Sequence, residues 1–321
     1  MDDQLRTYKI FGEEHREMKK GFTLIELLVV IAIIALLLAV ILPSLSKVKD
    51  VAAMKLCGNN ARQIMMASMA YAADNDDEVP RSTTNYRNEG TTPLIDKNND
   101  SWVCLPVRNP ALTPATTDDF IDPRNGATLE QRLAGIRHGT MFPYLENTDV
   151  YHCPKDDRQR KYGQGFRTYS LSQMAFDGTK QQSALAKWGP VAKRVSDVSS
   201  PGSRMAVVEQ ADPRGQFNWG GFVYASYGKL GGIGWEEPLA NWHKGGFMYA
   251  CFDGHVEQYQ IIERATNVYI EECRERYNDW FYYSQSKAAA ITPASANRDI
   301  YNLTRLLDVF GFTKDWAWTI N

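Results

Sequence analysis

The chain carries one apolar run long enough to cross a lipid bilayer, and this run constrains the fold more than any other feature. Between Phe22 and Leu42 only Thr23 and Glu26 are polar. At about 1.5 Å of rise per residue, a helix of this length spans a hydrocarbon core of about 30 Å. A single carboxylate inside such a run is costly in lipid, so Glu26 is a candidate functional residue.

Three simpler interpretations of the run account for it less well. The length of the run disfavours a buried core helix of a soluble protein. A secretory signal peptide has an apolar region of about 7–15 residues that ends at a small-x-small cleavage site. Here the run is longer, and it closes on Ala39-Val40-Ile41-Leu42-Pro43 without an Ala-x-Ala. An ordinary membrane anchor explains neither the carboxylate of Glu26 nor the glycine, Gly21, between the basic pair and the apolar run.

The residues at the start of the run are more specific. Lys19-Lys20-Gly21 precedes Phe22, and Glu26 is the fifth residue counted from Phe22. This arrangement resembles the N-terminus of type IV pilins and of the pseudopilins of type II secretion. In that family a prepilin peptidase cuts after the glycine, and the new N-terminal residue, usually Phe, is methylated. The resemblance implies that Gly21 ends the leader, Phe22 becomes the methylated N-terminus, and Glu26 serves assembly.

Elementary chemistry agrees with these roles. Gly21 has no side chain, so a peptidase can approach its backbone closely. The basic residues of the leader favour the cytoplasmic side of the membrane. Cleavage gives Phe22 a cationic amine. Glu26 of a neighbouring subunit could pair with that amine, which would offset the cost of burying both charges.

The helix is expected to continue beyond the membrane. After Pro43, which we expect to kink the helix rather than end it, small or apolar residues recur at every third or fourth position. This spacing is typical of an amphipathic helix. We therefore divide the chain into a leader (1–21, starting at Met1 or Met18), a transmembrane helix (22–43), an amphipathic continuation (44–73) and an exported head (74–321).

The head shows strand and hairpin patterns. Residues 168–172 and 204–209 are rich in strand-forming types, and a short strand is also predicted before Cys153. Two alternating runs within 246–259 flank Asp253-Gly254, which predicts a hairpin, and a helix is expected after Ile261. The predicted fold class is α+β, with the long transmembrane and amphipathic helix packed on an antiparallel sheet, as in pilins.

Nine residues separate His243 from Asp253-Gly254. Together with the prepilin-type N-terminus, this element resembles a family with an H-x9-DG C-terminal domain, whose role is not defined. His243, Asp253 and His255 are suitable metal ligands by type. We nevertheless favour a turn role for Asp253 and a backbone hydrogen bond for His243, and we expect neither a metal nor another cofactor.

The five cysteines are Cys57, Cys104, Cys153, Cys251 and Cys273. In an exported head disulfides persist, and an odd count leaves at least one cysteine unpaired. Two pairings stay open, Cys57 with Cys153 and Cys104 with Cys153. Cys251 lies in a predicted strand and fits a buried apolar position.

The predicted function is assembly. We expect a prepilin-like or pseudopilin-like subunit of a type IV pilus or a type II secretion pseudopilus, whose partners are prepilin peptidase, other pilin subunits and inner-membrane lipids. Its place is the bacterial inner membrane, as a single-pass protein with the head in the periplasm or outside the cell, or in a filament. The alternative is a membrane-anchored surface protein that binds a glycan or another ligand without polymerising.

Two function classes are disfavoured. The formal net charge of −2 gives no electrostatic case for nucleic-acid binding. No nucleophile with its base, zinc-protease helix or phosphate loop is recognisable, so we do not expect an enzyme.

Overall fold

The computed structural model describes residues 22–82, 101–112, 119–121, 126–162, 166–172, 192–211, 239–275, 298–299 and 302–303. The predicted leader, with Gly21, lies outside the described residues. The chain divides into two units, Met1–Lys49 and Asp50–Asn321. Helix α1 runs from Leu24 to Asp74 and continues through Pro43.

Within the unit Met1–Lys49, α1 is apolar all round its circumference from Leu27 to Leu42. Its large side chains are exposed, for example Leu24 at 86% and Leu36 at 69%. The helix is long and apolar enough to cross a membrane. A helix that is hydrophobic on every side is stable only in an apolar surrounding, so this segment fits a lipid bilayer.

A four-stranded antiparallel sheet forms the centre of the unit Asp50–Asn321. Its strands are β1 (Tyr169–Leu171), β2 (Met205–Glu209), β3 (Gly246–Cys251) and β4 (Val256–Gln260), adjacent in that order. Gly254 has a φ of 85° and allows the tight turn between β3 and β4. The predicted hairpin and the two other predicted strands at 168–172 and 204–209 are confirmed, and so is the α+β fold class.

The described helices after α1 are short. They are α2 (Leu129–Arg137), α3 (Phe142–Leu145), α4 (Arg158–Tyr162) and α5 (Arg264–Glu275). The strand predicted before Cys153 is wrong, because Thr148–Tyr151 forms a 3-10 helix. The side chain of Asn147 accepts the backbone N–H of Asp149 at 2.9 Å and so stabilises a turn where the residue types favoured a strand.

Both faces of the sheet are covered by apolar side chains. The second part of α1 packs on one face, where Ile64 and Met65 are fully buried in a cluster that includes Val207 of β2 and Ala250 of β3. On the opposite face Tyr269 and Ile270 of α5 join a second cluster with residues of β2, β3 and β4. Three strands are therefore buried on both sides, while β4 keeps exposed positions.

Gly58 of α1 lies directly against side chains of the sheet. A Cβ atom at this position would lie 3.0 Å from Cε of Met248 and 3.0 Å from Cγ1 of Val256. In the sequence, Gly58 looked like a weak point of the helix, since glycine lowers helix stability by about 1 kcal/mol. Its position explains the residue, because a side chain here would separate α1 from β3 and β4.

Gly58→Phe should therefore lower the free energy of unfolding by about 2 kcal/mol through overpacking. The matched control is Asn59→Phe, because Asn59 is the next residue of the same helix and is exposed. The control should stay within about 0.5 kcal/mol of wild type. Urea unfolding of the chain in detergent, followed by tryptophan fluorescence, measures both. Equal losses for the two variants would contradict the packing argument.

Candidate functional site

The start of α1 is fixed by a reciprocal pair of side chains. Thr23 Oγ1 accepts the backbone N–H of Glu26 at 3.2 Å. The Glu26 carboxylate accepts the backbone N–H and the hydroxyl of Thr23, both at 2.8 Å and both through Oε2. This is a capping box, in which two unpaired N–H groups at a helix start are satisfied. Glu26 thus has a local partner that the sequence analysis did not foresee, and Oε1 takes no part in the cap.

A second site lies in the core of the unit Asp50–Asn321. Four buried side chains of metal-binding types converge there, with all their ligand atoms within 4.8 Å of one another. We call this group the Cys–His–Glu cluster. Its members are Cys57 of α1, Cys153 after the 3-10 helix, Glu209 at the end of β2 and His243 before β3.

The distances in the cluster form a continuous chain. Sγ of Cys57 lies 2.9 Å from Sγ of Cys153, which lies 3.5 Å from Nε2 of His243. The same Nε2 lies 3.0 Å from Oε1 of Glu209. The side chain of His243 is 1% exposed and that of Glu209 is 0% exposed, so water contributes little at this point.

Backbone turns hold the two loop residues of the cluster. His243 and Gly246 exchange two backbone hydrogen bonds, 3.1 and 3.2 Å, around a turn in which Lys244 and Gly245 have φ values of 56° and 78°. Two successive positive φ angles define the tight turn that suits a strand start, and glycine adopts one of them without strain. The side-chain amide of Gln258 in β4 donates to the His243 carbonyl at 2.9 Å. The backbone that carries the imidazole is therefore held in place.

Cys153 is held just as closely. Its backbone N–H donates to Thr168 Oγ1 at 2.9 Å, and its carbonyl accepts the N–H of Asp156 at 2.8 Å. On the helix side, the Tyr169 hydroxyl donates to the Cys57 carbonyl at 3.1 Å. The two sulfur atoms are therefore positioned by rigid elements on different parts of the chain.

Burial and mutual contact set the protonation of the cluster. Burial, followed by the contact with Cys57, raises the pKa of the Cys153 thiol well above its usual range. Burial alone would lower the pKa of His243, yet the contacts with Cys153 and Glu209 outweigh it and raise that pKa to about 10. The raised pKa values favour the thiol form of Cys153 and the imidazolium form of His243.

The cluster does not have the geometry of a catalytic relay. In a nucleophile–base–acid triad, the imidazole contacts the nucleophile through one nitrogen and the orienting carboxylate through the other. Here Cys153 and Glu209 both approach the same nitrogen of His243. Instead, the four side chains direct their sulfur, nitrogen and oxygen atoms, all possible metal ligands, at one point.

The other predicted site residues of the head lie apart from this cluster. Asp253 accepts the backbone N–H of His255 at 3.0 Å and contacts its ring nitrogen Nδ1 at 2.5 Å, on the exposed β3–β4 turn. The hydrogen bond from the His255 N–H, together with the side chain of His255, lowers the pKa of Asp253 and outweighs burial, which alone would raise it. Thus His243 and Asp253, which nine residues separate in the motif, occupy different surroundings, and only His243 belongs to the cluster.

Of the two open cysteine pairings, the structure brings together Cys57 and Cys153. Cys104 instead donates to the carbonyl of His138 at 3.2 Å. Sequence reasoning missed Glu209, which it placed in a strand without a role. It also gave His243 a backbone partner, whereas the ring meets two side chains far away along the chain. No spacing signal joins these residues, because the contact depends on β2 and β3 lying side by side.

An apolar membrane-length helix that opens on Phe-Thr-x-x-Glu and continues into an α+β head defines a pilin-like protein. Residues 16–42 match the family described as the prokaryotic N-terminal methylation motif. The chain is 43% identical over 76 residues to prepilin peptidase-dependent protein A of Clostridium perfringens, a match that covers 24% of this chain and 53% of that protein.

A second relative extends this result. The chain is 37% identical over 70 residues to the competence protein ComGC of Halalkalibacterium halodurans, which covers 22% of this chain and 68% of that protein. The chain thus spans about half the length of the first relative and about two thirds of the second. No solved structure matches it. The chain belongs to the pilin-like proteins that carry the N-terminal methylation motif.

Proposed function

We propose that the chain is a prepilin-like subunit that prepilin peptidase cuts after Gly21 and that then assembles through α1 with other pilin-like subunits. The observation that carries the proposal is the Gly-Phe-Thr-x-x-Glu sequence directly before the membrane-length apolar part of α1. The relative from Clostridium perfringens is a prepilin peptidase-dependent protein by name, which supports the same processing. The product is a subunit of a type IV pilus or a type II secretion pseudopilus.

The proposal gives each part of the chain a task. Residues 1–21 are the leader, and residues 22–43 hold the subunit in the inner membrane before assembly. The rest of α1 carries the head, which faces the periplasm or the outside of the cell. We assign the head to the H-x9-DG type on the strength of His243 and Asp253-Gly254.

Assembly rather than catalysis is the proposed mode of action. Because Oε1 of Glu26 is not used by the capping box, it can accept a hydrogen bond from the amine that cleavage creates on a neighbouring subunit. A pair between opposite charges lowers the cost of placing either one in lipid. Repeating this contact from subunit to subunit sets a fixed register in a helical filament.

Processing gives the first test. Mass spectrometry of the protein isolated from its native membrane should find an N-terminal peptide that begins at Phe22 and carries one added methyl group. The same peptide is expected whether translation starts at Met1 or Met18, since both starts lie before the cut. A mature chain that begins at any other residue would refute the proposal.

A variant sharpens this test. Gly21→Val should accumulate as the unprocessed precursor, because a β-branched side chain keeps the peptidase from the backbone. The control is Ala32→Val, which introduces the same β-branched side chain in the apolar run away from the cleavage point, is present whichever start is used, and should be processed normally. A processed chain found only as single subunits in the membrane would favour the ligand-binding alternative.

A further inference from the structure

We propose that the Cys–His–Glu cluster is a structural zinc site, in which Cys57, Cys153, Glu209 and His243 hold one Zn²⁺ between α1 and the sheet. This site is independent of the processing and assembly proposed above. It concerns how the head is held together.

The first argument is convergence. Nε2 of His243 contacts both Cys153 and Glu209, so one nitrogen faces two neighbouring donor atoms. A single N–H group or lone pair cannot satisfy both well. A cation at the common point accepts a lone pair from all four side chains at once, and the four ligand atoms already lie within 4.8 Å of one another.

The second argument is size. In a tetrahedral zinc site with Zn–S of about 2.3 Å and Zn–N of about 2.0 Å, neighbouring ligand atoms are roughly 3.3–3.8 Å apart. The observed neighbours are separated by 2.9, 3.5 and 3.0 Å. Of these three distances, the one between the two sulfur atoms needs the largest adjustment, an opening of about 0.9 Å that side-chain rotation can supply.

The third argument is the chemistry of the donors. Two thiolates, one imidazole and one carboxylate combine soft and intermediate ligands, and this set suits Zn²⁺ better than Mg²⁺ or Ca²⁺, which prefer oxygen. Four protein ligands with no exposed side chain describe a closed, structural site rather than a catalytic one with an open position. All four residues are buried.

The fourth argument is the support around the ligands. The second oxygen of Glu209 accepts the backbone N–H of Met248 at 2.7 Å, which fixes the carboxylate. The sulfur of Cys153 accepts the N–H of Lys155 at 3.4 Å. Hydrogen bonds of this kind orient metal ligands and stabilise the charge on them.

The competing chemistry is a disulfide between Cys57 and Cys153, since their sulfur atoms are in contact. The disulfide and the zinc site use the same two thiols, so one chain can carry only one of them. The zinc proposal gives all four side chains one common role, whereas a disulfide would leave Glu209 and His243 paired only with each other.

Metal analysis decides between the two. The full chain is purified in detergent with its thiols reduced, loaded with Zn²⁺, and then dialysed against a metal-free buffer to remove unbound metal. It should retain about one Zn²⁺ per chain, measured by plasma mass spectrometry. Replacement by Co²⁺ should give the visible absorption of a tetrahedral site and a near-ultraviolet thiolate band. The Co²⁺ spectrum needs no variant, so it tests the proposal even where a substitution prevents folding.

Variants assign the ligands. Cys153→Ser and His243→Ala should each lower the bound zinc at least tenfold at the same free zinc concentration. Cys251→Ser is the matched control, because Cys251 is buried in β3 but lies outside the cluster, and it should keep the full stoichiometry. Retention of zinc by the two ligand variants would overturn the assignment.

The native protein supplies the last outcome. Non-reducing peptide mapping of chain isolated from its own membrane should find Cys57 and Cys153 unlinked, and alkylated quickly only after a chelator is added. A peptide pair joined through Cys57 and Cys153, or a reduced chain that binds neither Zn²⁺ nor Co²⁺, would overturn the proposal.

Discussion

Glu26→Gln should leave the chain processed and inserted in the membrane but exclude it from filaments. The variant keeps the length of the side chain and loses only its charge. Loss of at least tenfold in filament content is expected, because a neutral amide cannot offset the charge of the Phe22 amine in lipid. The measurement is the amount of tagged variant in filaments sheared from cells that also make the wild-type subunit.

The capping box makes this substitution more informative than Glu26→Ala. A glutamine at the third helical position can still accept the N–H of the capping residue, so Glu26→Gln preserves the start of α1. Glu26→Ala removes the cap and the charge together, and its effect would mix a weaker helix start with a lost ion pair. The loss of a cap alone costs only about 1 kcal/mol.

Thr23→Ala is the matched control. It removes the hydroxyl that accepts the N–H of Glu26 and donates to its carboxylate, yet leaves the charge in place. We expect near-normal incorporation for Thr23→Ala and exclusion for Glu26→Gln. If Glu26→Gln enters filaments at the wild-type level, the carboxylate serves the helix cap and not the contact between subunits.

Local patterns were sufficient to predict the elements of this fold that depend on neighbouring residues. The apolar run and the three-and-four spacing predicted α1, which ends at Asp74, one residue after the predicted end. Asp253-Gly254 predicted the β3–β4 hairpin, because the turn depends on a residue that tolerates a positive φ. In both cases the determining interactions lie within a few residues.

The Cys–His–Glu cluster could not be predicted in the same way. Cys57 and Cys153 are 96 residues apart, Cys153 and His243 are 90 apart, and Glu209 and His243 are 34 apart. Their meeting depends on the order of strands in the sheet and on the face that α1 covers. The sequence analysis considered a pairing of Cys57 with Cys153 and treated His243 apart from that pair. It gave no role to Glu209, which only the pairing of β2 with β3 brings next to His243.

A buried ion pair next to the cluster holds the loop that carries Cys153. Asp156 accepts the N–H of Arg158 at 3.1 Å and two guanidinium N–H groups of the same residue at 2.8 and 2.5 Å. Thr168 donates its hydroxyl to Asp156 at 2.9 Å and accepts the N–H of Cys153 at 2.9 Å. The carboxylate therefore has a partner for each oxygen and is linked to Cys153 through one hydroxyl.

Asp156→Ala should lower the free energy of unfolding by about 3–5 kcal/mol, because it removes the carboxylate that compensates the buried charge of Arg158 and leaves only neutral contacts such as the Arg167 carbonyl at 3.1 Å. The side chains of Asp156 and Arg158 are 0% and 3% exposed, so water cannot replace the lost carboxylate. Arg158 also lies over the ring of Trp242, 5.2 Å from its centroid, and this contact keeps the guanidinium in place after the substitution. Urea unfolding of the full chain in detergent, with both thiols reduced and a chelator present, measures the loss apart from any metal.

The adjacent residue provides the control for this prediction. Asp157 pairs with Lys161 one helical turn away, and their side chains are 21% and 49% exposed. Partly exposed pairs of this spacing contribute little, so Asp157→Ala should change the stability by about 1 kcal/mol or less. The two variants remove the same carboxylate from neighbouring positions and differ mainly in burial. A loss below about 1 kcal/mol for Asp156→Ala would mean that Arg158 reaches water or another acceptor once its partner is gone.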